Sequence, residues 1–109
     1  MADDTWTQAA AIALCVEIEA VCPKYGCHVA LTGGTLYKEG ERKDVDVLFY
    51  RIRQKPKIDE KGLFGALTRL GIDLTARHGW VQKATYRGKG IDFFFPEYND
   101  HDNDLYPTR

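Results

Sequence analysis

The sequence predicts one α+β domain of two layers, a mixed sheet packed on two helices. Two segments carry apolar residues at helical spacing, and several short segments alternate or run apolar as strands do. The two kinds are interleaved along the chain. A length of 109 residues allows one modest core and leaves no room for a second module. The globular unit is expected over residues 1–96, followed by an acidic, irregular tail over 97–109.

Thr5 and Gln8 read as a capping box that opens the first helix. Ala11, Leu14, Ile18 and Val21 then fall on one face, and Pro23 with Gly26 closes the helix. Residues 28–31 read as a short buried strand that ends at Gly33-Gly34. Residues 35–38 suit one helical turn, and 39–43 form a charged loop. Val45, Val47 and Phe49 alternate with Asp44, Asp46 and Leu48, which is a strand of period two reaching about residue 52. A basic linker with Pro56 follows. Asp59 suits the N-cap of a second helix, with Leu63, Phe64, Leu67 and Leu70 as its apolar face and Gly71 at its end. Residues 72–77 leave edge strand and loop both open. Residues 80–87 and 90–95 are strand-like, with Gly88-Lys89 as the turn of a hairpin. Trp80, Tyr86, Phe93, Phe94 and Phe95 read as core.

Composition narrows the function classes. The hydrophobic share of 44% and charged share of 28% argue against a disordered chain. A formal net charge of −1 argues against broad phosphate neutralisation along a duplex, so any nucleic-acid contact is expected to be local. No apolar run approaches the roughly 20 residues that span a bilayer, and no basic segment opens a secretory signal. A cytoplasmic location with free thiols at Cys15, Cys22 and Cys27 is expected, since their spacing fits no standard zinc pattern. The chain has no serine, and His78 and His101 lack evident triad partners. Arg51, Arg53, Lys55 and Lys57 read first as a solvated linker and second as contacts for an acceptor's phosphates.

The chemistry is concentrated in three carboxylates. Asp44 and Asp46 sit two residues apart in a strand, so both point to one face while Val45, Val47 and Phe49 point to the other. Adjacent carboxylates must be solvated, paired or metal-bound. Asp92 lies in the apolar run Gly90-Ile-Asp-Phe-Phe-Phe95, where solvation alone explains it poorly. An acid on a neighbouring strand about 4.8 Å away would meet the first pair. Three convergent carboxylates suit Mg²⁺ or Mn²⁺, and two such ions can hold both oxygens of a phosphoryl transfer. The plainer reading is a single acid at a sheet edge paired with Arg87 or Lys89. Gly33-Gly34 after a strand lets backbone amides approach an anion, with the Thr35 hydroxyl beside them.

Residues 31–48, Leu-Thr-Gly33-Gly34-Thr35 through Lys43-Asp44-Val-Asp46-Val-Leu, resemble the signature of the DNA polymerase β-like nucleotidyltransferase superfamily, and Ile91-Asp92-Phe93 resembles its third acidic strand. The Gly-Gly form is most similar to the tRNA CCA-adding branch, and the length to the minimal stand-alone members. The resemblance covers roughly residues 5–95. It implies that Asp44, Asp46 and Asp92 hold two Mg²⁺ or Mn²⁺ ions, and that Asp92 helps activate the attacking hydroxyl. It implies that Gly33, Gly34 and Thr35 hold the triphosphate of an NTP, and the spacer residues Lys38, Arg42 and Lys43 are well placed to assist. The implied reaction moves a nucleoside monophosphate to a hydroxyl of RNA, a protein or a small molecule, with release of pyrophosphate. Gly34 stands where many members have serine, and Lys38 is the nearest basic residue after it. The helical domain that grips the base in most polymerising members has no room here, so a partner chain or a homo-oligomer is expected to complete the base site. A non-catalytic binding or inhibitor protein on the same fold is the competing expectation.

Overall fold

The computed structural model describes residues 5–32 and 43–96. The predicted turn at 35–38, the diglycine, Thr35, Lys38, Arg42 and the acidic tail lie outside the described residues. The first helix, α1, spans Gln8–Val21. Its N-cap is Thr7, whose hydroxyl accepts from the Ala10 amide at 3.1 Å, so the expected cap at Thr5 lies two residues too early. The reason is Trp6, which is buried and must face the core just before the helix starts. Ala11, Leu14 and Ile18 form the buried stripe as their spacing requires. A 3-10 turn over Cys22–Tyr25 follows, and Gly26 ends it in the left-handed region at φ 86°.

The five strands are β1 Cys27–Thr32, β2 Asp44–Arg51, β3 Ile72–His78, β4 Val81–Tyr86 and β5 Lys89–Phe94. The second helix, α2, spans Glu60–Arg69 between β2 and β3. Asp59 caps it by accepting from the Gly62 amide at 3.0 Å, and Gly71 follows its end at φ 97°. The sheet order is β1-β2-β5-β4-β3. Only the β2–β5 pair is parallel, so the sheet is mixed. β1 is an edge strand and mostly half-buried, where its short apolar run suggested a fully buried one. Residues 72–77 resolve as the opposite edge strand.

Both helices contribute to one core with one face of the sheet. Val45, Val47, Phe49, Ile91, Phe93 and Phe95 meet Leu14, Ile18, Leu63 and Leu67 there. Phe49 stacks near Phe95 at 5.0 Å between ring centroids and tilts against Phe93 at 5.1 Å. Gln82 is the one buried polar residue among those described. Its amide donates to the carbonyls of Ala76 and Lys83, which satisfies the irregular stretch where the β3–β4 register shifts.

The β4–β5 hairpin turns at Arg87-Gly88, one residue earlier than expected, because Tyr86 pairs with Lys89. Both turn residues have positive φ, 53° and 82°, which matches the twist of the strands they join. This register keeps Ala84 opposite Ile91 and Gln82 opposite Phe93 on the core face.

Two of the residues expected in the core stand elsewhere. Trp80 lies in the turn between β3 and β4 and is 49% exposed. Phe94 is half-buried and alternates with the core residues Phe93 and Phe95, so it belongs to the opposite face. The two rings meet at 5.8 Å. Among the described residues no helix is long and apolar enough to cross a membrane. Cys15, Cys22 and Cys27 are free thiols.

Candidate functional site

The alternation that buries Val45, Val47 and Phe49 turns Asp44, Asp46 and Leu48 to the sheet face that the helices leave open. The same alternation on β5 buries Ile91 and Phe93 and turns Asp92 outward. The parallel register sets Asp46 directly beside Asp92 and Asp44 beside Gly90. Partners in a ladder share a face, so the three acids stand together on adjacent central strands about 4.8 Å apart. Asp44 is exposed, while Asp46 and Asp92 are half-buried. Among the described residues no group of three or more His, Cys, Asp or Glu side chains is arranged so that it could hold a metal ion.

Gly90 is what gives Asp44 its position. A Cβ on Gly90 would collide with the Asp44 carboxylate and would sit 3.3 Å from the Lys43 carbonyl oxygen. The absent side chain therefore leaves a recess on the open face, and the carboxylate of Asp44 lies over it. Trp6 secures the backbone at this point, because its indole Nε1 donates to the Gly90 carbonyl at 2.7 Å. Its ring stacks with Tyr86 at 6.3 Å.

A cation from a third strand completes the group. The β4–β5 register sets Lys83 opposite Asp92, and its ammonium lies 2.7 Å from Asp92 Oδ1. The distance is that of a charge-assisted contact, but no well-aligned hydrogen bond satisfies this buried oxygen. The Asp92 carboxylate, through contact and then charge, raises the Lys83 pKa; partial burial opposes the rise, and the fields of Asp44 and Asp46 add to it. Asp92 is thus partnered by Lys83, and not by Arg87 or Lys89. The turn expected at Gly88-Lys89 would have set Thr85 opposite Asp92, which is why this pairing was hidden. The positive φ of Arg87 is the feature that moves the turn, and residue type alone gives little sign of it.

Thr32 is the last described residue of β1 and pairs with Asp46. Lys43 is exposed immediately before Asp44. Of the expected site residues, Asp44, Asp46 and Asp92 are therefore adjacent on β2 and β5, and Lys43 immediately precedes β2. Gly33, Gly34, Thr35, Lys38 and Arg42 lie outside the described residues. Of the linker cations, the Arg51 guanidinium folds back on the carbonyls of Arg53 and Lys55, at 3.4 and 2.6 Å, while Arg53, Lys55 and Lys57 are exposed.

The donors of Asp44, Asp46 and Asp92 are all carboxylate oxygens, the type that hard divalent cations take, and one oxygen of Asp92 is already engaged by Lys83. The open face changes character along the strands, with acids at one end and Leu48, Val81 and Phe94 at the other. No family model matches the chain, and no curated protein is significantly similar to it.

Proposed function

We propose that the chain is a metal-dependent nucleotidyltransferase that moves a nucleoside monophosphate from an NTP to a hydroxyl acceptor. The observation that carries this reading is the pairing of Asp46 with Asp92 across β2 and β5, with Asp44 two residues away on the same face. Asp44, Asp46 and Asp92 would hold Mg²⁺ or Mn²⁺, which when bound neutralises phosphate charge and acidifies the attacking hydroxyl. The acceptor oxygen bonds to the α-phosphorus as the bond to pyrophosphate breaks, and Asp92 receives the hydroxyl proton. Lys43, with the spacer cations Lys38 and Arg42, meets the triphosphate charge, while Gly33, Gly34 and Thr35 supply backbone and hydroxyl donors. The acceptor is RNA, a protein or a small molecule, and a partner chain or second copy completes the base site. The three free thiols fit a reducing cytoplasm.

The test is incubation with each labelled NTP, Mg²⁺ or Mn²⁺, and total RNA or lysate, following the label. Transfer that Asp46→Asn abolishes supports the reading. A thermal shift gives a second measure, because an NTP–metal complex at 100 times its dissociation constant adds about 2.7 kcal/mol. The competing reading, a non-catalytic binding protein, is favoured by one observation: Lys83 already neutralises Asp92 within the protein. It predicts no thermal response to any NTP with either metal.

A further inference from the structure

The proposed reaction does not use Lys83, yet among the described residues its ammonium is the cation paired with the acid group. It stands on β4, in register with Asp92 on β5, which is in register with Asp46 on β2. Three adjacent strands therefore present cation, acid and acid in one row across the open face. The ammonium is 2.7 Å from Asp92 Oδ1, and that oxygen has no aligned hydrogen-bond donor. The Lys83 side chain is 45% exposed, whereas that of Asp92 is 19% exposed, so the lysine reaches in from solvent to a half-buried carboxylate. A long flexible stem of this kind swings out at low cost once its partner is taken.

We infer that Lys83 is the resident counter-ion of the carboxylate group, and that a divalent cation binds only by displacing its ammonium from Asp92. This rests on the metal site proposed above and adds a control to it. Without a metal, Lys83 offsets the repulsion of three carboxylates on one face and holds the fold together there. With a metal, the ammonium must withdraw, since a lysine cation beside a bound divalent ion is repelled. The metal affinity of the site is therefore set low by the protein itself.

The experiment titrates the full chain with Mn²⁺ alone, following free Mn²⁺ by electron paramagnetic resonance. Wild type is compared with Lys83→Met, which keeps the stem and removes the charge, and with Lys83→Arg, which restores it. Lys83→Met should bind Mn²⁺ at least about ten-fold more tightly, and Lys83→Arg should return close to wild type. In chelator, Lys83→Met should unfold at lower urea than wild type, and the difference should vanish in an Asp92→Asn background. Equal or weaker Mn²⁺ binding by Lys83→Met, with wild type binding measurably, overturns the competition and leaves the metal site standing. No Mn²⁺ binding by folded wild type and folded Lys83→Met overturns the metal site, and the competition with it. Should Lys83→Met fail to fold, Lys83→Gln serves as the neutral variant in the same titration.

Discussion

Gly90 shows how one missing side chain can shape a site. Its recess holds the Asp44 carboxylate, the distal end of a side chain that can swing, so Gly90→Ala is expected to cost no more than about 1 kcal/mol of stability. The same change pushes that carboxylate off the open face, and the thermal response to Mn²⁺ should fall sharply. A variant that keeps the full response would remove Asp44 from the proposed ligands. Asp44→Asn and Asp92→Asn should likewise lose pyrophosphate release while circular dichroism stays native. Cys15 makes a different test of burial. Desolvation pushes its thiol up to about 11 from the ordinary 9.0. Its folded pKa lies above the unfolded one, so its contribution to stability is complete below about pH 9 and is lost as pH rises toward 11. Cys15→Ala should therefore flatten the alkaline limb of the stability profile measured by urea unfolding. The acid-x-acid pair and Asp92 were legible from the sequence as residues. Lys83 was not, because its role depends on the position of a turn.

Elements act here through their ends. The β4–β5 turn holds Arg87 at φ 53°, a conformation that costs an ordinary residue roughly 1 kcal/mol and asparagine less. Arg87→Asn creates Asn-Gly at a turn with two positive φ values and should raise stability by about 0.5 kcal/mol, even after loss of the exposed contact between Arg87 and the Tyr86 ring. A drop in the unfolding midpoint would mean that the contact outweighs the turn. At the other end of the chain, Trp6 ties the approach to α1 to the start of β5. Trp6→Phe keeps most of the buried area but removes the indole donor to the Gly90 carbonyl. It should cost about 1–3 kcal/mol by urea unfolding. Both helices were legible to within two residues, since amphipathic spacing and the caps at Asp59 and Gly71 act locally. The edge position of β1 and the strand over 72–78 were not, because strand order is set by partners far away in the chain.

At the scale of the molecule, the sheet sorts its two faces by function. One face carries the helices and the aromatic core, and the other carries the acids, Lys83 and, farther along, Phe94. A second, mostly apolar area lies beside edge strand β1, where a groove of about 380 Å³ is lined by Ile12, Val16, Val29, Leu31 and Tyr50 together with Cys15 and Glu19. Ile12 and Val16 remain exposed there, one turn apart on a second apolar side of α1. The amino-acid order by itself determined the two helices, the strand of Asp44 and Asp46 with its apolar side, and that these two acids share a face. These depend on periodicity and capping, which operate over a few residues. Only the tertiary structure decided that β5 lies parallel beside β2 in the register that sets Asp92 next to Asp46, and that Lys83 pairs with Asp92. That register is chosen by the packing of Phe49, Phe93 and Phe95 under the two helices, a contact between segments more than forty residues apart. A slip of one residue would turn the acids into that core, and the cost of burying them excludes it.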